Sequence, residues 1–140
     1  MVNLAEAVKD RINAGTYSAA VTAEREYRPA PDLSALQGVK CYVVPESMAA
    51  NVSTRASDQF TPMISVTLHK GGKGNADLDA MMVLAEEVFD QLRGVSYTIT
   101  EGRCSWQGAE NETLFLSSAL DELQVFSTRI TVSFFLIRSR

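Results

Sequence analysis

Few residues of this chain could do chemistry, and their spacing decides what they can do. His69 is the lone histidine. A general base could be assembled from it with a distant Ser and Asp, but no spacing asks for that arrangement. It closes an apolar alternation beside Lys70, which predicts an exposed side chain. Glu86 and Glu87 are adjacent on a helical pattern, so they cannot face each other as an acid/base pair would. Glu24 and Glu26 share a strand face and read as solvated surface. Cys41 and Cys104 are too few and too far apart for a zinc site, and no Cys-x-x-Cys occurs. Each sits in a short apolar alternation, Cys41 with Val39 and Val43, Cys104 just before Trp106. Buried free thiols are expected, a disulfide being disfavoured in a reducing compartment. No catalytic set, metal site or cofactor site emerges.

The run Gly71-Gly72-Lys73-Gly74-Asn75 lies between a strand pattern and a helix pattern, where a phosphate-binding loop would lie. In such a loop Lys follows the last glycine and precedes a hydroxyl residue. Here Asn75 follows it, and Asp77 and Asp79 would set negative charge at the helix start where a phosphate needs open amides. A hairpin-like loop is the better reading. A small nucleotide-binding or enzymatic α+β domain using Gly71–Gly74 is the alternative.

Composition narrows the partners. At 140 residues, with 46% hydrophobic and 21% charged, the chain suits one α+β domain over 1–140 with a core of its own. A net charge of −4 argues against general nucleic-acid binding, which needs a basic surface. The N-terminus carries charges where a signal peptide needs an apolar run, and no stretch reaches membrane-spanning length. A cytoplasmic chain is expected, with neither membrane nor specific nucleic acid as partner.

The elements follow from periodicity. Asn3 and Glu6 resemble a capping box for a first helix, with Leu4, Val8 and Ile12 on its inner face and Gly15 at its end. Tyr17–Arg28 alternates with period two and predicts a strand stopped by Pro29 and Pro31; Arg25 falls on its more apolar side, to pair internally or meet a neighbour. Asp32–Leu36 reads as one helical turn, and Val39–Val44 as a strand stopped by Pro45. Glu46–Phe60 shows no periodicity. Loops longer than about 12 residues are usually functional or disordered, so this is an interface arm or a flexible segment. Arg55 is its best candidate for a contact to a neighbouring carboxylate or carbonyl.

Pro62–His69 predicts a third strand and Ala76–Arg93 the best-specified helix, with methionines as core filler. Val95–Glu101 predicts a strand with Arg103–Trp106 as hairpin partner, and Gln107–Glu112 a polar turn. Leu123–Arg138 is the strongest strand pattern and should be central. Phe126, Thr128, Ile130, Val132, Phe134 and Leu136 share its inner face, to pack on a helix stripe that includes Ala85, Val88 and Phe89. The order of elements predicts an α+β fold: a largely antiparallel sheet with two main helices packed on it.

Residues 23 to 45, Ala-Glu-Arg-Glu-Tyr-Arg-Pro-Ala-Pro-Asp-Leu-Ser-Ala-Leu-Gln-Gly-Val-Lys-Cys-Tyr-Val-Val-Pro, resemble a segment of small neck and tail proteins of long-tailed bacteriophages. Ser53-Thr54-Arg55, the strand Ile64–Leu68, the helix Asp77–Leu92 and the closing run Leu120–Thr128 continue the likeness. The chain looks most like the tail terminator, or tail completion, family. That resemblance implies a homohexameric ring that caps the tail tube, ends its elongation and helps join tail to head. It implies a virion location after assembly in host cytoplasm, with the major tail tube protein and head–tail connector proteins as partners. It implies no enzyme and no cofactor. Another neck or minor tail role is the neighbouring alternative. Arg25, Arg55, Asp58, Lys70, Lys73 and Arg129 are the candidate interaction residues, and no catalytic residue carries over.

Overall fold

The computed structural model of the protein describes residues 1–27, 38–52, 57–71, 75–113 and 125–139. They form an α+β fold of two helices and six strands. In chain order these are α1 (Val2–Asn13), β1 (Ala23–Arg25), β2 (Lys40–Val52), β3 (Ser57–Gly71), α2 (Asn75–Leu92), β4 (Tyr97–Ile99), β5 (Gly102–Thr113) and β6 (Val125–Ser139). The sheet order is β1-β2-β3-β6-β5-β4, antiparallel except for the β1–β2 pair.

The final strand is central, as its composition predicts. β6 lies between β3 and β5, with Val66 opposite Ile130 and Ile64 opposite Val132. Directly opposed residues share a face, so the alternation of β6 fixes the inner face of both neighbours. Ile130, Val132 and Phe134 are at most 1% exposed and join Ala85 and Val88 of α2 in one core, with Phe89 partly buried against it. Of the predicted inner face, only the Phe126 side chain lies outside the described residues. α1 adds Leu4, Ala5, Val8 and Ile12 to the same core, and Met81 of α2 serves as filler. Burying each large apolar side chain is worth about 1.5–3 kcal/mol. Cys41 and Cys104 are buried free thiols; burial pushes Cys41 up to about 12, so it stays protonated and unreactive.

Several expectations are corrected. Of the strand predicted over Tyr17–Arg28, only Ala23–Arg25 pairs among the described residues. Local bonds hold its start in another shape: the Tyr17 hydroxyl donates to the Ile12 carbonyl, and the Ser18 N–H donates to Glu87. The Asn13 amide then brackets Ala23, donating to its carbonyl and accepting from its N–H. Asn3 does not cap α1. Met1 holds the cap position, and Asn3 instead donates to Glu101 beyond β4.

Pro45 does not stop its strand. β2 runs through it to Val52 with a bulge between Pro45 and Ser47, which a strand tolerates where the missing N–H faces no partner. Most of the predicted Glu46–Phe60 loop is therefore the distal part of the β2–β3 pair, with Ala50 opposite Phe60 and Val52 opposite Asp58. Gln107–Glu112 likewise is strand, not turn, paired to β6 across two register shifts. Gly102 starts β5 at φ 139, a conformation that side chains rarely adopt, and its missing Cβ leaves room for Leu136. Gly94, at φ 75, follows α2 as the sequence predicts. The helical turn at 32–36 and the segment 114–124 fall outside the described residues.

Candidate functional site

The helices cover one face of the sheet; the other presents the polar side chains of its longest strands. Ser65, Thr67 and His69 of β3 stand opposite Thr131, Arg129 and Ser127 of β6. Glu46 reaches over this row from β2: its Oε1 accepts a 2.6 Å bond from the Ser65 hydroxyl and pairs with Arg129 Nη2 at 3.1 Å. One strand therefore supplies the carboxylate, the second a hydroxyl and the third a cation. The pair is part-exposed, so its contribution to stability is modest, about 0.2–1 kcal/mol. Its geometric effect is larger, because it ties three strands across their polar face.

His69 is half-buried, against the exposed position its sequence context predicts. Nδ1 and the Ser127 hydroxyl are hydrogen-bonded at 2.8 Å, and the ring leans on Tyr42 at 6.0 Å between centroids. The sequence could not show this, because Ser127 stands next to His69 only through the β3–β6 register. Nε2 is buried and has no hydrogen-bond partner among the described residues. Burial holds the His69 pKa below its ordinary value of 6.5. The unfolded chain therefore binds this proton first on acidification, and stability should fall as pH drops through about 6.5. Urea melts between pH 5 and 8 should show that slope, and His69→Gln should flatten it; a flat wild-type profile would contradict the burial. No other histidine competes in this window.

The six candidate interaction residues do not gather into one site. Arg25 turns inward: its Nε bonds Glu6 at 2.7 Å, its Nη1 bonds the Tyr27 hydroxyl at 2.9 Å, and Lys9 shares the same Glu6. Bonds from Lys9 and then Arg25 pull the Glu6 carboxyl below its ordinary range. Asp58 lies near the start of β3, opposite Arg138, and Lys70 near its other end, opposite Phe126. Arg129 belongs to the polar row. Arg55 and Lys73 lie outside the described residues, as do 72–74 of the glycine-rich loop. Glu46, the residue that joins Arg129 to Ser65, escaped sequence reading because Pro45 suggested an end to its strand.

Among the described residues, no group of three or more His, Cys, Asp or Glu could hold a metal, and no helix is long and apolar enough to cross a membrane. A cavity of about 570 Å³ opens between α2 and β5, lined by Glu86, Phe89, Asp90 and Ala109–Asn111. Its described lining holds three carboxylates and one aromatic ring, with neither nucleophile nor base–orienter pair.

The sequence matches no protein-family model and no curated protein. The fold does have a counterpart. A chain of the solved structure described as "Virion of native gene transfer agent (GTA) particle" superposes with a TM-score of 0.60 at 18% identity, covering 99% of this chain and 96% of that one. At that identity the likeness is one of fold.

Proposed function

We propose that this chain is a structural subunit of a phage-like virion, and within it the tail terminator that caps the tail tube. The observation that carries this reading is the end-to-end fold likeness to a chain of the gene transfer agent virion, over nearly the full length of both. The sequence resemblance to terminators, independent of that superposition, supports the finer assignment. In this reading the protein is not an enzyme and acts by shape.

The proposed assembly is a homohexameric ring, matched to a sixfold tube, with the major tail tube protein on one side and head–tail connector proteins on the other. The physical basis is geometric: a heterologous interface that closes leaves no free end for further growth. The face toward the tube must mimic a tube subunit, and the opposite face must not. Closure also lets modest contacts act together through effective concentration. Asp58, Lys70 and Arg129, on the long strands β3 and β6, are the described polar candidates for such contacts. Assembly would occur in host cytoplasm, and the product would reside in the virion.

Removal of the protein during particle production tests this directly. Electron micrographs should then show overlong tubes or tails that fail to join heads. Normal infectious particles would end the reading.

A further inference from the structure

Among the described residues, each outer edge strand covers only part of its neighbour, and the uncovered stretches fit each other. β1 pairs with β2 only from Cys41 to Val43, and the Glu26 N–H adds one bond to the Val43 carbonyl. From Val44 to Ala50, β2 has no strand beside it on that side among the described residues. At the other edge, β4 pairs with β5 only from Gly102 to Cys104, and the Ser96 hydroxyl takes the Trp106 N–H. From Gln107 to Glu110, β5 has no strand beside it there among the described residues. Bare strand edges are templates for pairing with another chain.

Direction and level make the two stretches complementary. β2 runs antiparallel to β3, β3 to β6 and β6 to β5, so β2 and β5 run in opposite senses. Copies related by rotation about one axis, each the same way up, would therefore bring β2 of one against β5 of the next as an antiparallel pair. The stretches also lie at diagonal corners. Phe60 links Ala50 to Leu136, towards the far end of β6, whereas Glu110 stands level with Thr131, nearer its middle. Pairing thus requires strands inclined to the rotation axis, and a sheet that closes on itself has that tilt.

The side chains agree with one register. Ser47 and Ala49 stand opposite Met63 and Thr61 on the polar face, while Met48 faces inward, beside Leu4 and Leu136, yet remains 43% exposed. Ala109 faces inward on β5 and Glu110 outward. Setting Met48 of one copy opposite Ala109 of the next brings its thioether to the cavity that Phe89 helps to line. An adaptable sulfur-bearing chain is well suited to an aromatic neighbour. Ser47 then meets Glu110, and the small side chains at 47 and 49 let the backbones approach.

We infer that the uncovered stretch of β2 in one copy pairs antiparallel with the uncovered stretch of β5 in the next, so that the ring is held by one sheet continued from subunit to subunit. The partner is a second copy of this chain, and the inference rests on the ring reading given above. It adds which edges meet and in which direction.

Disulfide trapping tests it. The double variant Ser47→Cys with Glu110→Cys should give, on mild oxidation, a ladder of reducible multimers ending at the ring, because directly opposed strand residues lie within disulfide reach. The shifted pair Ala49→Cys with Glu110→Cys should give a weaker ladder. Wild-type protein should give none, since Cys41 and Cys104 are buried. Native mass spectrometry of the same samples, and micrographs of assembled tails, report whether rings exist. Rings without either ladder would overturn the edge pairing and leave the ring reading intact. Absence of rings in solution and on tails would overturn both. Dimers from Glu110→Cys alone would show a two-fold β5–β5 contact and likewise overturn the inference.

Discussion

Phe134→Ala is expected to lower the unfolding free energy by about 3–5 kcal/mol, enough to threaten folding of a domain this size. Phe134 is 1% exposed, lies on the central strand, and meets Tyr97 edge-on at 5.6 Å between ring centroids. It stands beside Trp106 of β5 and belongs to the core shared with both helices. Removing the ring deletes its transfer free energy and leaves a cavity that the surrounding strands cannot close. Urea unfolding of the purified variant should show the loss as a lower midpoint. A change below about 1 kcal/mol would mean that β6 presents its other face to the core.

Ile12→Ala should cost about 2–5 kcal/mol by the same mechanism, although its helix pattern is much narrower. Ile12 is 0% exposed, and α1 packs against β1, β2, β4 and α2. The end of α1 is also tied to α2 by reciprocal bonds: Arg11 Nε donates to the Gln91 carbonyl, and the Gln91 amide donates to that of Arg11. Loss of Ile12 therefore loosens the junction of both helices. Val2→Ala, on the same helix but 46% exposed, should stay within about 0.5 kcal/mol. Comparable losses at both positions would contradict the buried stripe, since Ala is the better helix former and propensity alone would not destabilise either variant.

Much of this was legible because side-chain period reports directly on which face is buried. Leu4, Val8 and Ile12 at helical spacing, and Ile130, Val132 and Phe134 at strand spacing, identified their own inner faces. The outer face was harder. Ser127 and Thr131 are polar yet only 6% and 4% exposed, because neighbouring strands crowd small side chains at the middle of a sheet. Composition reads polarity, and burial depends on neighbours. The weakly patterned stretches failed for a related reason: Ser-Met-Ala-Ala in β2 and Gln-Gly-Ala-Glu in β5 have low strand propensity, and pairing with long neighbours overrides it.

The sequence by itself determined the α+β composition, the two buried stripes of the helices, the central place of the last strand and the burial of both cysteines, since each depends on local period and side-chain polarity. The tertiary structure alone decided that Glu46, Ser65 and Arg129 meet, that His69 leans on Tyr42 beside Ser127, and that among the described residues β1 and β4 pair with only part of β2 and β5. Those features arise from register between strands far apart in the chain. A shift of one residue would turn every side chain to the opposite face, and the register is set by packing across the whole sheet.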